Sequence, residues 1–322
     1  MYNHVGSITK GMNDTMKKID IFSHILTPEY VKKYLTIAPE VSKTFEFGRP
    51  AMTDLTTREK LMLRNPDVLQ IVTMGNVPLE RYVSAQNAIE LSKVGNEEMA
   101  ELVKTKPNLF YGAVGTIPVD DVDASLKIIE HCVNDLGLLG IQLFTTLERE
   151  SFTEPKYRPV FALMAELDRP IWVHPAATKF GPSRGAFLWP YESSCFMFDI
   201  VKAGIFADHP DLKIIIHHAG AMIPYFWERV RITMPKHSEK YLKYFYTDTA
   251  LYGNTPGLMC AYDYFGADHI LYGTDAPLGC GPLVGYGNTQ RTITAIEKMD
   301  ITDEDKEKIF YGNAVQMFVS PI

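Results

Sequence analysis

The residues able to do chemistry in this chain sit at the ends of short apolar runs. In chain order they are His24 in KKIDIFSHI, His174 in PIWVH, the pair His217 and His218 in LKIIIHHAGA, Asp248 in YFYTDTA, and Asp275 in HILYGTDAP. Imidazole and carboxylate are the ligand types that a borderline divalent ion such as zinc takes, and an imidazole left over can serve as acid or base. Asp248 reads either as a substrate contact or as a structural hydrogen-bond acceptor.

The runs that carry these residues alternate with amphipathic stretches at a fairly regular pitch, as repeated βα units around a parallel sheet do. Eight of them read as strands: KKIDIF, LQIVTM, LFYGAV, LLGIQLF, PIWVH, LKIIIHH, YFYTDTA and HILYGTD. Helix-like segments lie between them, at 83–105, 122–136, 157–167, 192–207 and 256–265. Eight such units imply an α/β chain folded as a single (β/α)8 TIM-type barrel over residues 16–322, with residues 1–15 as a loose N-terminal extension. A barrel of this kind assembles its site at the carboxyl ends of its strands, where the histidines and Asp275 fall. His269 stands at the start of the eighth run, so a structural role at the opposite face is expected of it. His4, His131, His209 and His237 sit in a tail, a helix or turns and are assigned no chemistry. The long connections 26–68 and 175–191 read as lid segments.

Composition narrows the partners. Across 322 residues, 46% are apolar and 22% charged, and the formal net charge of −7 argues against a nucleic-acid backbone as ligand. The four cysteines, Cys132, Cys195, Cys260 and Cys280, show neither C-x-x-C pairing nor zinc-finger spacing, so a reducing cytoplasm is the expected setting. No apolar run approaches the roughly 18 residues of a membrane span, and no membrane partner is expected.

Together, and in this order from about Lys17 to Phe318, the motifs IDIFSHI, WVHP, LWPYESSCFMFDIVKAGIFADHPDLKIIIHHAGAMIP, FYTDTA and LYGTDAPLG resemble the amidohydrolase-related family. Within it, the likeness is to the group around aminocarboxymuconate semialdehyde decarboxylase. That resemblance implies a divalent metal, zinc or else manganese, held by His24, His174 and Asp275, with His218 as catalytic acid or base alongside Asp275. It also implies that Arg58, in DLTTREK, grips a substrate carboxylate, and that Arg229, in YFWERV, makes a salt bridge or serves a neighbouring subunit. One departure stands out. Where the family has I-D-x-H-x-H this chain has Phe22, so the first metal-binding histidine is missing and three ligands remain.

Strand periodicity adds geometry to this. A period of two puts Asp20, Phe22 and His24 on one face of the first strand, and alternation sends His217 away from the site if His218 faces it. Of the aromatic residues near the presumed mouth (Phe22, Trp172, Phe180, Phe187, Trp189 and Tyr191), Phe22 and Trp189 are expected to touch substrate. The reading is a metal-dependent decarboxylase acting on a small unsaturated or aromatic carboxylic acid, working as a homodimer or higher homo-oligomer. Its competitors are a metal-dependent hydrolase of a carbonyl or lactone, and a metal-free binding paralogue in which Phe22 has displaced the ion.

Overall fold

The structure, a computed structural model, describes residues 17–42, 50–75, 78–145, 150–176, 185–234, 238–278 and 286–318. The expected extension 1–15, Phe180, Cys280 and part of each expected lid lie outside the described residues. Seven strands form one sheet in sequence order: β1 (Lys18–Ile25), β2 (Val68–Met74), β3 (Phe110–Thr116), β4 (Ile141–Phe144), β5 (Ile171–His174), β6 (Ile214–Ile216) and β7 (Tyr246–Thr247). Every neighbouring pair is parallel. The near-continuous apolar runs follow from this arrangement, because strands of such a sheet are covered on both faces.

The α-helices of the described residues are, in order, α1 (Pro28–Ile37), α2 (Leu55–Met62), α3 (Ala85–Thr105), α4 (Val122–Glu130), α5 (Arg158–Glu166), α6 (Gly185–Lys202), α7 (Ile205–Asp208), α8 (Ile223–Arg231), α9 (Thr255–Phe265), α10 (Tyr286–Glu297), α11 (Asp303–Glu307) and α12 (Asn313–Phe318). Several starts are set by side chains: Asp54, Ser84, Asp121 and Asn254 each accept a first-turn N–H. The described part of connection 26–68 is helical wall more than lid, since α1 and α2 fill it and Tyr30 and Tyr34 are fully buried there.

The eighth run does not form a strand. Residues 270–276 lie between the sheet's two edges without a regular ladder: Leu271 N donates to Thr247 O at 2.8 Å, while Ile21 N donates to Tyr272 O at 2.8 Å and Asp275 N to Phe22 O at 2.9 Å. Parallel bridges Thr247 to Ile270 and Ser23 to Ala276 complete the join. The chain is thus a curled parallel sheet of TIM type, with an irregular segment in the eighth place.

Two apolar layers result. The outer one packs strands against helices. The inner one gathers Ile19, Ile21, Phe22, Ile71, Val114, Trp172, Ile215 and Leu271 with Met317 and Phe318 of α12. Trp172, expected near the mouth, is instead part of this interior: its ring stacks on Phe318 at 5.5 Å and its Nε1 donates to Ile21 O.

Candidate metal centre at the strand ends

β1 does not alternate throughout. Its pairing with β2 shifts register between Asp20 and Ser23, and Ile21 and Phe22 both belong to the inner cluster. A bulge of this kind turns two consecutive residues to one side. Asp20 therefore does not share the face of Phe22 and His24, contrary to the period-two expectation. His24 emerges beyond the bulge, fully buried, with its ring 4.8 Å from that of Phe22.

His24, His174 and Asp275 come together, one ligand atom of each lying within 4.8 Å of the others. His174 is held by Nδ1 on Pro175 O at 2.7 Å, so Nδ1 carries the proton and Nε2 keeps its lone pair. Burial, and then the neighbouring imidazoles of His24, His217 and His218, hold it well below the ordinary histidine range, and so neutral. His24 Nδ1 lies 2.8 Å from Thr73 Oγ1, whose hydroxyl has Ser23 O as acceptor. In that tautomer His24 Nε2 bears a lone pair, and it faces Asp275 Oδ1 at 3.0 Å. Two lone-pair atoms so close require a shared cation, either a proton or a metal ion. The other carboxylate oxygen, Oδ2, accepts from Tyr252 Oη–H at 3.0 Å. Two imidazoles and one carboxylate, each ring nitrogen fixed by a second partner, fit a divalent ion with three protein ligands and an open position.

The neighbouring histidine pair just past β6 departs from expectation. Ile215 belongs to the inner cluster, so His217, two residues on, continues inward. It is fully buried, its ring stacked on Phe22 at 3.4 Å and 12°, and its Nδ1 bonds Asp248 Oδ2 at 2.6 Å. His218 lies past the end of the strand with φ of +63°, where strand alternation no longer applies. That left-handed turn brings its ring to 5.9 Å from Phe22 as well, with Nδ1 buried and unpartnered. Both rings face the site. The expected opposition between them fails because β6 ends at Ile216.

Asp248 accepts four N–H groups, from His217 Nδ1, from the backbones of His218 and Ala250 at 2.9 Å each, and from Ala219 at 3.4 Å. Burial acts to raise its pKa, but the hydrogen bond from His217, the two imidazoles and the Ala250 N–H outweigh it and hold the carboxyl below its usual range. Burial conversely lowers His217 by more than Asp248 raises it. The pair is therefore a carboxylate and a neutral imidazole. Gly273 makes room here, since a Cβ on it would come within 2.8 Å of Asp248 Cβ and 3.1 Å of Phe22 Cβ. Among the described residues, five of the six non-glycine positive-φ positions are His218, Ala219, Ala221, Tyr252 and Asp275, so backbone strain concentrates around this mouth.

Arg58 is placed elsewhere than expected. It is buried, donating through Nη1 to His24 O and Ala51 O and through Nη2 to Ser23 Oγ and Gln70 Oε1, with its guanidinium over Phe110. A guanidinium committed to the backbone of β1 and to Gln70 is not free to grip a carboxylate. It braces the strand that carries His24. Trp189, half-buried on α6, lies against the bare Cα of Gly185. Among the described residues it makes no ring or hydrogen-bond contact with the three ligands. Arg229 is exposed on α8 and makes no ion pair among the described residues, where Arg231 pairs with Glu228 instead. His269 takes the structural role expected of it, stacked on Tyr246 at 4.5 Å and bonded to Phe245 O. Sequence reading passed over Thr73 and Tyr252. The signal for both was a hydroxyl side chain at or just past a strand end, in LQIVTM and in DTALYG.

Comparison with known proteins places this geometry. The sequence pattern of the amidohydrolase family matches residues 79–319. The 2-keto-4-carboxy-3-hexenedioate hydratase of Sphingobium sp. is 29% identical over 251 residues, covering 72% of this chain and 72% of its own. The gamma-resorcylate decarboxylase of Rhizobium sp. is 26% identical over 291 residues, 81% of this chain and 86% of its own. The crystal structure of 5-carboxyvanillate decarboxylase from Novosphingobium aromaticivorans, complexed with manganese and 4-hydroxy-3-methoxy-5-nitrobenzoic acid, matches with a TM-score of 0.80 at 20% identity, covering 96% of this chain and 99% of that one. At that identity the likeness is one of fold. The family match spans most of the chain, including four of the five motif-bearing strand ends, and on it the chain belongs to the amidohydrolase family.

Proposed function

We propose that this chain is a metal-dependent carboxy-lyase acting on a small aromatic or unsaturated carboxylic acid. The observation that carries the reading is a three-ligand site of His24, His174 and Asp275 with the unpartnered Nδ1 of His218 close by. Relatives named as decarboxylases of aromatic acids support the reaction. A bound divalent ion, zinc in the first instance and manganese as in the decarboxylase structure above, would supply a Lewis acid that holds substrate oxygens and draws charge toward them.

The chain's own residues do the rest. Phe22 and Phe144, its ring 5.6 Å from that of His174, give apolar walls that suit a planar acid. The bond between the ring carbon and the carboxylate breaks, its electron pair stays in the conjugated system, and a proton from His218 fills the vacated carbon. Solvent returns a proton to His218. Asp275, braced by Tyr252, shares in that proton handling. Arg58 has no part in binding substrate. Self-association fits the groove between α6 and α8, which is lined by Tyr191, Phe198, Phe226 and Arg229.

Hydration is the second reading, favoured by the hydratase relative. The same residues would then deliver a proton to one end of a carbon–carbon double bond while water adds to the other. Purified protein loaded with Zn2+ or Mn2+, incubated with hydroxybenzoates and unsaturated dicarboxylates, separates the two by mass spectrometry, as loss of carbon dioxide or gain of water. His218→Asn is expected to keep about one ion per chain while turnover falls ~10²–10⁴-fold. Full turnover in that variant would remove His218 from the chemistry.

A further inference from the structure

Nε2 of His217 is buried and has no partner. The ring is fixed on three sides: Nδ1 on Asp248 at 2.6 Å, one face on Phe22 at 3.4 Å, and His174 beside it with ring centroids 5.9 Å apart. Asp248 also accepts three backbone N–H groups, so it is an acceptor at every contact and the proton between the two residues sits on Nδ1. Nε2 then carries a lone pair. It is not one of the three atoms grouped as metal ligands. A buried acceptor held this firmly and left unmatched is a site for a donor, and its ring lies against Phe22, one of the two walls proposed above for substrate.

We propose that His217, oriented by Asp248 and stacked on Phe22, is a specificity-determining residue whose Nε2 accepts a hydrogen bond from a hydroxyl group on the bound acid. This rests on the carboxy-lyase reading and sharpens it, from acids in general to acids carrying a hydroxyl that can reach His217. Rejection of the analogue lacking that donor follows from geometry, because a methyl ether or a bare ring leaves the lone pair buried and unsatisfied.

The test uses the zinc-loaded full chain and the three monohydroxybenzoates, their methyl ethers and benzoate as probes. Calorimetric titration is expected to show at least one hydroxybenzoate binding roughly 10-fold tighter than its ether and than benzoate. His217→Phe keeps the stack on Phe22 and removes the acceptor, so that preference should vanish while zinc affinity stays as in the parent chain. Asp248→Asn can still accept the backbone N–H groups through its carbonyl oxygen but turns an N–H toward His217 Nδ1. Nε2 then becomes a donor, and the same preference should collapse. Independently of any ligand, nitrogen-15 NMR of the parent chain should show His217 protonated at Nδ1 and bare at Nε2.

A proton on Nε2 would overturn the inference, as would a hydroxyl preference that survives in His217→Phe. Loss of zinc affinity in that variant would make His217 a ligand, again overturning it. Benzoates that bind without any hydroxyl preference would sink this inference and leave the carboxy-lyase reading standing. No binding by any probe would sink both.

Discussion

Phe22 stands where the resemblance of IDIFSHI implies a histidine, and its surroundings show what the phenylalanine ring does there. Its ring sits among four imidazoles, with His24 at 4.8 Å, His174 at 5.6 Å, His217 at 3.4 Å and His218 at 5.9 Å. An aromatic ring gives those groups an apolar partner where a ligand nitrogen would otherwise point. Restoring the nitrogen by Phe22→His keeps a flat ring against His217 and adds a donor beside His24 and His174. Affinity for Zn2+, measured by competition with a chelator, should rise by about 10-fold or more. An unchanged affinity in a folded variant would show that position 22 does not adjoin the ion.

Which side chains meet at the site was legible from sequence to the extent that the strands are regular, and illegible where they stop being so. His174 follows plainly from β5, a four-residue strand paired without interruption to β4. The faces of Asp20 and of the two histidines that follow β6 did not, because a bulge interrupts β1 and β6 is only three residues long. Arg58 was misread for another reason. Residue type announces a cation, but only the packing of α2 under β1 shows that its two terminal Nη groups are already engaged. Close packing also marks where an element cannot yield. Gly140 precedes β4, and a Cβ there would run into the carbonyl oxygen of Pro170 and the ring of Trp172. Gly140→Ala should force β4 away from β5 and destabilise the fold by about 1–3 kcal/mol, read as a lower urea midpoint at unchanged slope. A midpoint equal to that of the parent chain would show that the strands can part there without cost.

At the scale of the whole molecule, the alternation of apolar and amphipathic runs announced a parallel α/β sheet, and seven of the eight expected strands form it in order. The eighth was not legible as it is, because residues 270–276 are held by hydrogen bonds to both edges and by a buried carboxyl instead of by a ladder. That carboxyl is Asp20. It accepts from Thr274 N at 3.0 Å, Thr274 Oγ1 at 2.6 Å, Phe22 N at 3.2 Å and Gln70 Nε2 at 3.4 Å, and so ties β1, β2 and the closing segment together. Burial raises its pKa from 3.8 to about 7, against the opposing pull of the Thr274 and Phe22 hydrogen bonds and the Arg58 charge. A carboxyl raised in the folded state holds a proton there that the unfolded chain has already released. Between about pH 4 and 7 the folded state therefore binds more protons, and this group's contribution to stability falls as pH rises through that window, levelling above it. Asp20→Asn removes the titration but keeps the shape. The stability of the variant relative to the parent chain, from urea midpoints at several pH values, should accordingly climb between about pH 4 and 7 and then stay flat. A difference independent of pH would mean that Asp20 is ionised throughout, with Arg58 and the four donors stabilising the charge fully, and that the barrel closes on a carboxylate.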